Sequence, residues 1–195
     1  MNDDYRSLPL SRDDIRAEAW KLRVVLGASQ AKALPILKIL EYGMGRLFPG
    51  FNRTIVSKDE MPGREAVTYP AANEIDIRED TYLLAYYGDP RARFTLAHEI
   101  GHLILHTPET ITLAREAADN TTPLRFESAE WQADAFAGDF LAPPRLLLGL
   151  SVDEIAEQFN ISRKAAQIQF DHLPHRNWFG PLRPRQLMLP GFERL

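Results

Sequence analysis

Phe94-Thr95-Leu96-Ala97-His98-Glu99-Ile100-Gly101-His102 is the stretch on which the reading of this chain turns. It holds H-E-x-x-H inside a proline-free run of helical periodicity. Four residues turn a helix by about 400°, so His98 and His102 project from one face on consecutive turns. Two imidazoles in that relation can bind one zinc ion. Glu99, about 100° around the helix, can reach a water at that metal without becoming a ligand. Chance would produce the pattern roughly 0.01 times in a chain of this composition. Leu96, Ala97, Ile100, Leu103 and Ile104 fill the other faces, more hydrophobe than a surface helix uses. The spacing therefore predicts a buried helix with one polar edge on a cleft. The competing reading satisfies both histidines with hydrogen bonds in the core and leaves Glu99 at the surface. Two histidines on one buried face are costly without partners.

Working outward, Asp89-Pro90 is an N-cap followed by proline at the first helical position, which starts this helix at Pro90 and carries it to about His106. A catalytic zinc has three protein ligands and an open position. Glu130 and Asp134 stand at i and i+4 on a second predicted helix, Ser128 to Leu141, with the small residues Ala133, Ala137 and Gly138 on or beside that face. Small residues let the two helices approach closely. Glu130 is the natural third ligand, and Asp134 can accept a hydrogen bond from the far nitrogen of a ligand histidine. The alternative is a solvated acidic pair. Glu127, Glu109 and Glu116 are weaker ligand candidates. His106 lies about 80° around the helix from His98 and misses the spacing of a third histidine ligand in metzincins. It reads as a supporting or packing residue at the helix C-terminus, where a partly positive imidazole is favoured.

The 195 residues contain five histidines and no cysteine. That excludes a disulfide framework, a thiolate metal site and a cysteine nucleophile, so a metal must be held by His, Asp and Glu. The net charge of -4 argues against a surface that grips nucleic acid throughout. No apolar run reaches the roughly 18 to 20 residues of a membrane helix, and the acidic start Met1-Asn2-Asp3-Asp4 is unlike a secretory signal. The expected setting is soluble and cytoplasmic, with no membrane contact.

The remaining elements follow from caps and periodicity. Ser11-Arg12-Asp13-Asp14 opens a helix to about Gly27, and a second covers Leu34 to Leu47. Thr54–Val56, Ala66–Tyr69 and Glu74–Ile77 read as strands of a small, partly antiparallel sheet, the last two joined by a turn at Tyr69–Asn73. Short helices at Val152–Phe159 and Arg163–His172 carry caps at Ser151 and Ser162. The fold class is α+β and mostly helical: a zincin-like pair of metal helices, a small antiparallel-containing sheet and a C-terminal helix-turn-helix-like segment. Residues 1–150 form the expected metal-binding domain, 151–173 the helix-turn-helix-like segment and 174–195 a basic, proline-rich tail.

The run Ala97-His98-Glu99-Ile100-Gly101-His102-Leu103-Ile104-Leu105-His106, with Glu130-x-x-Ala133-Asp134-x-Phe136-Ala137-x-x-Phe140-Leu141-x-Pro143, resembles the ImmA/IrrE family of bacterial metallo-endopeptidases. The resemblance covers roughly Leu34 to Leu173. It implies one zinc ion held by His98, His102 and Glu130, with Glu99 as catalytic base. It also implies that the substrate is a helix-turn-helix repressor encoded nearby, whose cleavage switches on a stress, mobile-element or phage-defence response, in several members after DNA damage. Gln132 departs from the family, which commonly has a second glutamate there, as does Ala142 where methionine is common. Hydrolysis would further need an oxyanion donor, for which Tyr86, Tyr87, His106 and His172 are candidates.

Arg163, Lys164 and Gln167 are expected on the exposed side of the last helix. They are candidate contacts to DNA or to the repressor, against the plainer reading of a hairpin that caps the domain. The rival function is a non-catalytic, zinc-stabilised regulator that binds DNA or a repressor through Arg163 and Lys164.

Overall fold

The computed structural model describes residues 6–108, 110 and 124–173. The basic tail, Glu109, Glu116 and the polar stretch 118–123 lie outside the described residues. Helix α1 (Arg12–Val25) starts with a full capping box, the Ser11 hydroxyl and the Asp14 carboxylate each taking the other's backbone N–H. Helix α2 follows Pro35 and is continuous through Ile36–Lys38, a π-helical turn at Ile39–Gly43 and Met44–Leu47. Strands β1 (Asn52–Val56), β2 (Ala66–Tyr69) and β3 (Glu74–Arg78) form one sheet in the order β1-β3-β2. β3 runs parallel to β1 and antiparallel to β2, with Thr68 opposite Ile75. Pro70–Ala72 makes a 3-10 turn that ends at Asn73 in the left-handed region, φ 50°. Ile75 and Ile77 alternate into the core from the central strand, the period of two that a half-buried strand requires.

Helix α3 (Glu79–Tyr86) has no counterpart in the sequence reading. It carries no side-chain N-cap, and Leu83 and Leu84 face solvent while Thr81 and Ala85 face inward, so no apolar stripe announces it. Helix α4 (Pro90–Leu105) begins as expected, with the Asp89 carboxylate accepting from the Ala92 N–H. Helix α5 (Ala129–Leu141) is capped by Ser128 and ends before Pro143. Helices α6 (Val152–Phe159) and α7 (Arg163–Asp171) are joined through Asn160, again left-handed at φ 49°. Asn160 ties this corner to the metal-motif helix: its side chain donates to the Gly88 carbonyl, and its own carbonyl accepts from Arg93. Ile155, Phe159, Ile161 and Ala166 of the α6–α7 pair enter the same core cluster as Leu96, Ile100, Phe136 and Phe140.

α4 and α5 meet at a close contact. A Cβ at Gly101 would stand 3.1 Å from Phe136 Cδ1 and 3.2 Å from both Cα and the carbonyl oxygen of Ala133. Gly101 and Ala133 therefore set the approach of the two helices that carry the candidate ligands. Gly138 serves a different contact, facing the Gln169 side chain of α7. Buried Asp139 binds Arg12, Arg16 and Gln169 and so links α1, α5 and α7. Among the described residues no helix is long and apolar enough to cross a membrane.

Candidate metal centre

His98 and His102 lie one turn apart on α4, and Glu130 reaches them from the first turn of α5. Their ring Nε2 atoms are 2.9 Å apart, and the two Glu130 carboxylate oxygens stand 3.2 Å from His98 Nε2 and 3.3 Å from His102 Nε2. Among the described residues, these three form the group that can offer ligand atoms to a single ion. Glu127, the nearest rival by sequence, instead caps its own 3-10 turn through the Leu124 N–H.

Hydrogen bonds behind the cluster assign the histidine tautomers. Asp134 can only accept, so His98 Nδ1, at 2.9 Å, donates to it. Gln132 donates through Nε2 to the carbonyls of Leu8 and Phe126, both at 2.8 Å, which leaves its Oε1 facing His106 Nε2 at 3.1 Å. His106 therefore carries its proton on Nε2 and accepts through Nδ1. His102 Nδ1, 2.9 Å from that atom, is the donor. Both candidate ligand histidines thus hold Nδ1–H behind them and turn their Nε2 atoms toward Glu130.

Ring nitrogens 2.9 Å apart with a carboxylate beside them are stable only if positive charge lies among them. A proton can supply it. Burial opposes protonation of His98, but hydrogen bonds to Asp134 and Glu130 and the charge of Glu99 outweigh burial and push its pKa up to about 10. The histidines in turn draw the Glu130 carboxyl far below the usual carboxylate range. A divalent ion fits the same donor set: ligands about 2.0–2.2 Å from a tetrahedral ion lie about 3.3–3.6 Å from one another, slightly wider than the separations here.

His106 differs from its sequence expectation. It is fully buried, and burial, followed by repulsion from His102, pushes its pKa down to about 3. Desolvation outweighs any preference for positive charge at the helix C-terminus, so the imidazole is neutral. The remaining oxyanion candidates do not line the cleft. Tyr86 and Tyr87 sit exposed at the end of α3, edge to face at 5.4 Å, and exposed His172 turns Nδ1 back to the Ile168 carbonyl.

Glu99 is buried at the cleft wall beside the ligand cluster. Thr68 of β2, which the sequence reading did not single out, holds it. The Thr68 hydroxyl is 2.6 Å from Glu99 Oε2 and 2.9 Å from the Glu99 carbonyl oxygen. The cleft itself, about 550 Å3, runs between β2 and its preceding loop on one side and α4 with α5 on the other.

Residues 81–170 match the family model described as the IrrE N-terminal-like domain, Peptidase_M78. Over that span the chain carries an IrrE N-terminal-like domain, the domain of the ImmA/IrrE family. The matched span contains both ligand helices, α6 and nearly all of α7, so the match supports a metallopeptidase-type role, with which the His98, His102 and Glu130 cluster is compatible. No curated protein matches the chain significantly. Among solved structures, a Mycobacterium tuberculosis transcriptional regulator shares the fold at a TM-score of 0.50 and 15% identity, over 88% of this chain and 55% of the regulator. The chain thus spans about half the length of that relative.

Proposed function

We propose that the chain is a zinc-dependent endopeptidase that cleaves a partner helix-turn-helix repressor at a specific bond and so switches on a stress, mobile-element or phage-defence response. The observation that carries this reading is Glu99. A site that only stabilised structure would have no use for a buried carboxylate beside the ligands, held by its own hydroxyl partner. His98, His102 and Glu130 would hold the ion. Bound there, zinc would supply Lewis acidity, polarising the scissile carbonyl and making water a better nucleophile at neutral pH.

The protein's own groups handle the proton. Glu99 takes it from the attacking water and gives it to the leaving amine. Thr68 suits both states of that carboxyl. Toward ionised Glu99 its hydroxyl donates to Oε2. Toward the protonated acid it accepts from Oε2 and turns its own hydrogen to the Glu99 carbonyl. β2 lines the cleft as an edge strand through Ala66, Val67 and Thr68, so an extended substrate segment can pair with it. The similar fold of a protein described as a transcriptional regulator agrees with a regulatory setting.

The test is incubation of the zinc-loaded protein with the product of the neighbouring repressor gene. Cleavage at one bond that stops with chelator and returns with zinc is expected. Chelator-insensitive cleavage, or none under any trigger, would move the assignment to the non-catalytic regulator.

A further inference from the structure

The metal cleft does not end at Phe94. A second cavity of about 720 Å3 shares Arg91, Phe94 and Asp134 with it and continues between α5 and α7. Trp131 and Gly138 of α5 line one side, and Lys164 and Ile168 of α7 the other. Four cations border this space (Arg12, Arg91, Arg125 and Lys164) against the single carboxylate of Asp134, in a chain whose net charge is -4. Asp134 is bound to His98, and Arg12 is paired with buried Asp139 and donates to Gln169. Arg91 pairs with Glu65, but that pair is largely exposed. Arg125 lies over the Trp131 ring at 5.3 Å. Among the described residues neither Arg125 nor Lys164 has a carboxylate partner.

The α6–α7 pair thereby acquires a role other than the groove reading of a DNA-binding helix. Of its candidate contacts, Arg163 pairs with Asp153 at 2.7 Å and Gln167 donates to Asp171 at 2.8 Å. Lys164, the cation without such a partner, borders the cavity. A recognition helix reads a duplex by entering its major groove, whereas Lys164 and Arg125 border a recess that shares Arg91, Phe94 and Asp134 with the metal cleft.

We propose that this cavity is a docking site for an acidic, partly apolar segment of the polypeptide substrate, held next to the segment cut at the metal. Carboxylates of the segment pair with Lys164 and Arg125 while its apolar side chains lie on Trp131, Phe94 and Ile168. The proposal rests on the endopeptidase reading, and its test is a binding measurement that needs no cleavage.

The probe is a fluorescein-labelled peptide, Glu-Leu-Glu-Phe-Glu-Ala, titrated by anisotropy with full-length Glu99→Gln protein. The comparisons are the same peptide with lysine for glutamate and a labelled 20-base-pair duplex. The acidic peptide is expected to bind at least about tenfold tighter than the basic one, with affinity falling as salt rises. Lys164→Glu and Arg125→Glu should each weaken it about tenfold, while Arg163→Glu leaves it unchanged. Circular dichroism checks that each variant is folded. Equal binding of the two peptides, or indifference to both cavity reversals, overturns the proposal. So does duplex binding that displaces the acidic peptide and is lost with Arg163→Glu, which would assign the face to nucleic acid. Charge-dependent peptide binding without cleavage by the zinc-loaded native chain would instead defeat the endopeptidase reading and leave the cavity assignment standing.

Discussion

Replacing Gln132 by methionine, which matches it in size, removes both ends of an amide that three groups depend on. The carbonyls of Leu8 and Phe126 lose their donor, and His106 Nε2–H loses its acceptor. Leu8 and Phe126 belong to a partly exposed segment that water can reach, whereas His106 is fully buried. One buried donor left without a partner costs about 1–3 kcal/mol, a fall in melting temperature of about 2–4 °C for each kcal/mol in a chain of this length. The larger consequence is chemical. Without Gln132 Oε1 the hydrogen bond that holds the His106 proton on Nε2 is lost, and a proton on Nδ1 would confront His102 Nδ1–H across 2.9 Å. His102 would then carry its proton on Nε2, where a metal ligand must have a lone pair. Zinc affinity should fall about 10- to 100-fold, measured by competition with a chromophoric chelator. Gln132→Glu separates the two effects. Its carboxylate can still accept from His106 but faces two carbonyl oxygens, so stability should fall while zinc affinity stays near native. If Gln132→Met lowers the melting temperature yet binds zinc within about twofold of the native chain, the tautomer argument is wrong. Ring nitrogen shifts of His102 and His106 in the metal-free protein read the same proton directly.

Thr68→Val keeps the shape of the side chain and removes the hydroxyl that holds Glu99; the cleavage rate should fall about 10- to 100-fold with zinc affinity unchanged, and a normal rate would dismiss the Thr68 contact. Gly101→Ala places a methyl 3.1–3.2 Å from Phe136 Cδ1 and the Ala133 backbone, so α4 and α5 must part by a few tenths of an ångström. It should cost about 1–3 kcal/mol and weaken zinc binding, and a melting curve indistinguishable from native would refute the close approach. The metal-free protein should also lose stability on both sides of neutrality. His98, raised to about 10, contributes stability fully present below pH 6.5 and lost as pH climbs through 10. His106, lowered to about 3, contributes stability present above pH 6.5 and lost as pH falls toward 3. Zinc should flatten the alkaline arm. Thermal melts from pH 4 to 10 with and without the ion check this, and an alkaline arm that zinc leaves unchanged would contradict it.

What the sequence made legible was local and periodic. His98 and His102, then Glu130 and Asp134, follow from helical spacing alone. The strands Ala66–Tyr69 and Glu74–Ile77 and the caps at Ser11, Asp89, Ser151 and Ser162 follow from alternation and from residue types that bind free backbone N–H groups. What escaped was set by distance or by burial. Thr68 reaches Glu99 across 31 residues, and nothing on β2 marks that threonine among its neighbours. Gln132 reads as a harmless departure from a common glutamate until Leu8, Phe126 and His106 are seen around it. Helix α3 is invisible to periodicity because Leu83 and Leu84 face water. Tyr86, Tyr87 and His172 were reasonable proton donors by type, but none of them lines the cleft. The charge expected for His106 failed because complete burial outweighs a helix terminus.

The central claim is that Glu99 performs the proton transfer of peptide hydrolysis beside a metal held by His98, His102 and Glu130. Zinc-loaded Glu99→Gln protein, incubated with the repressor encoded by the neighbouring gene, tests it most directly. The account predicts zinc affinity within about threefold of native and a cleavage rate reduced about 10²- to 10⁴-fold. Native-rate cleavage by a variant that still binds zinc would contradict it.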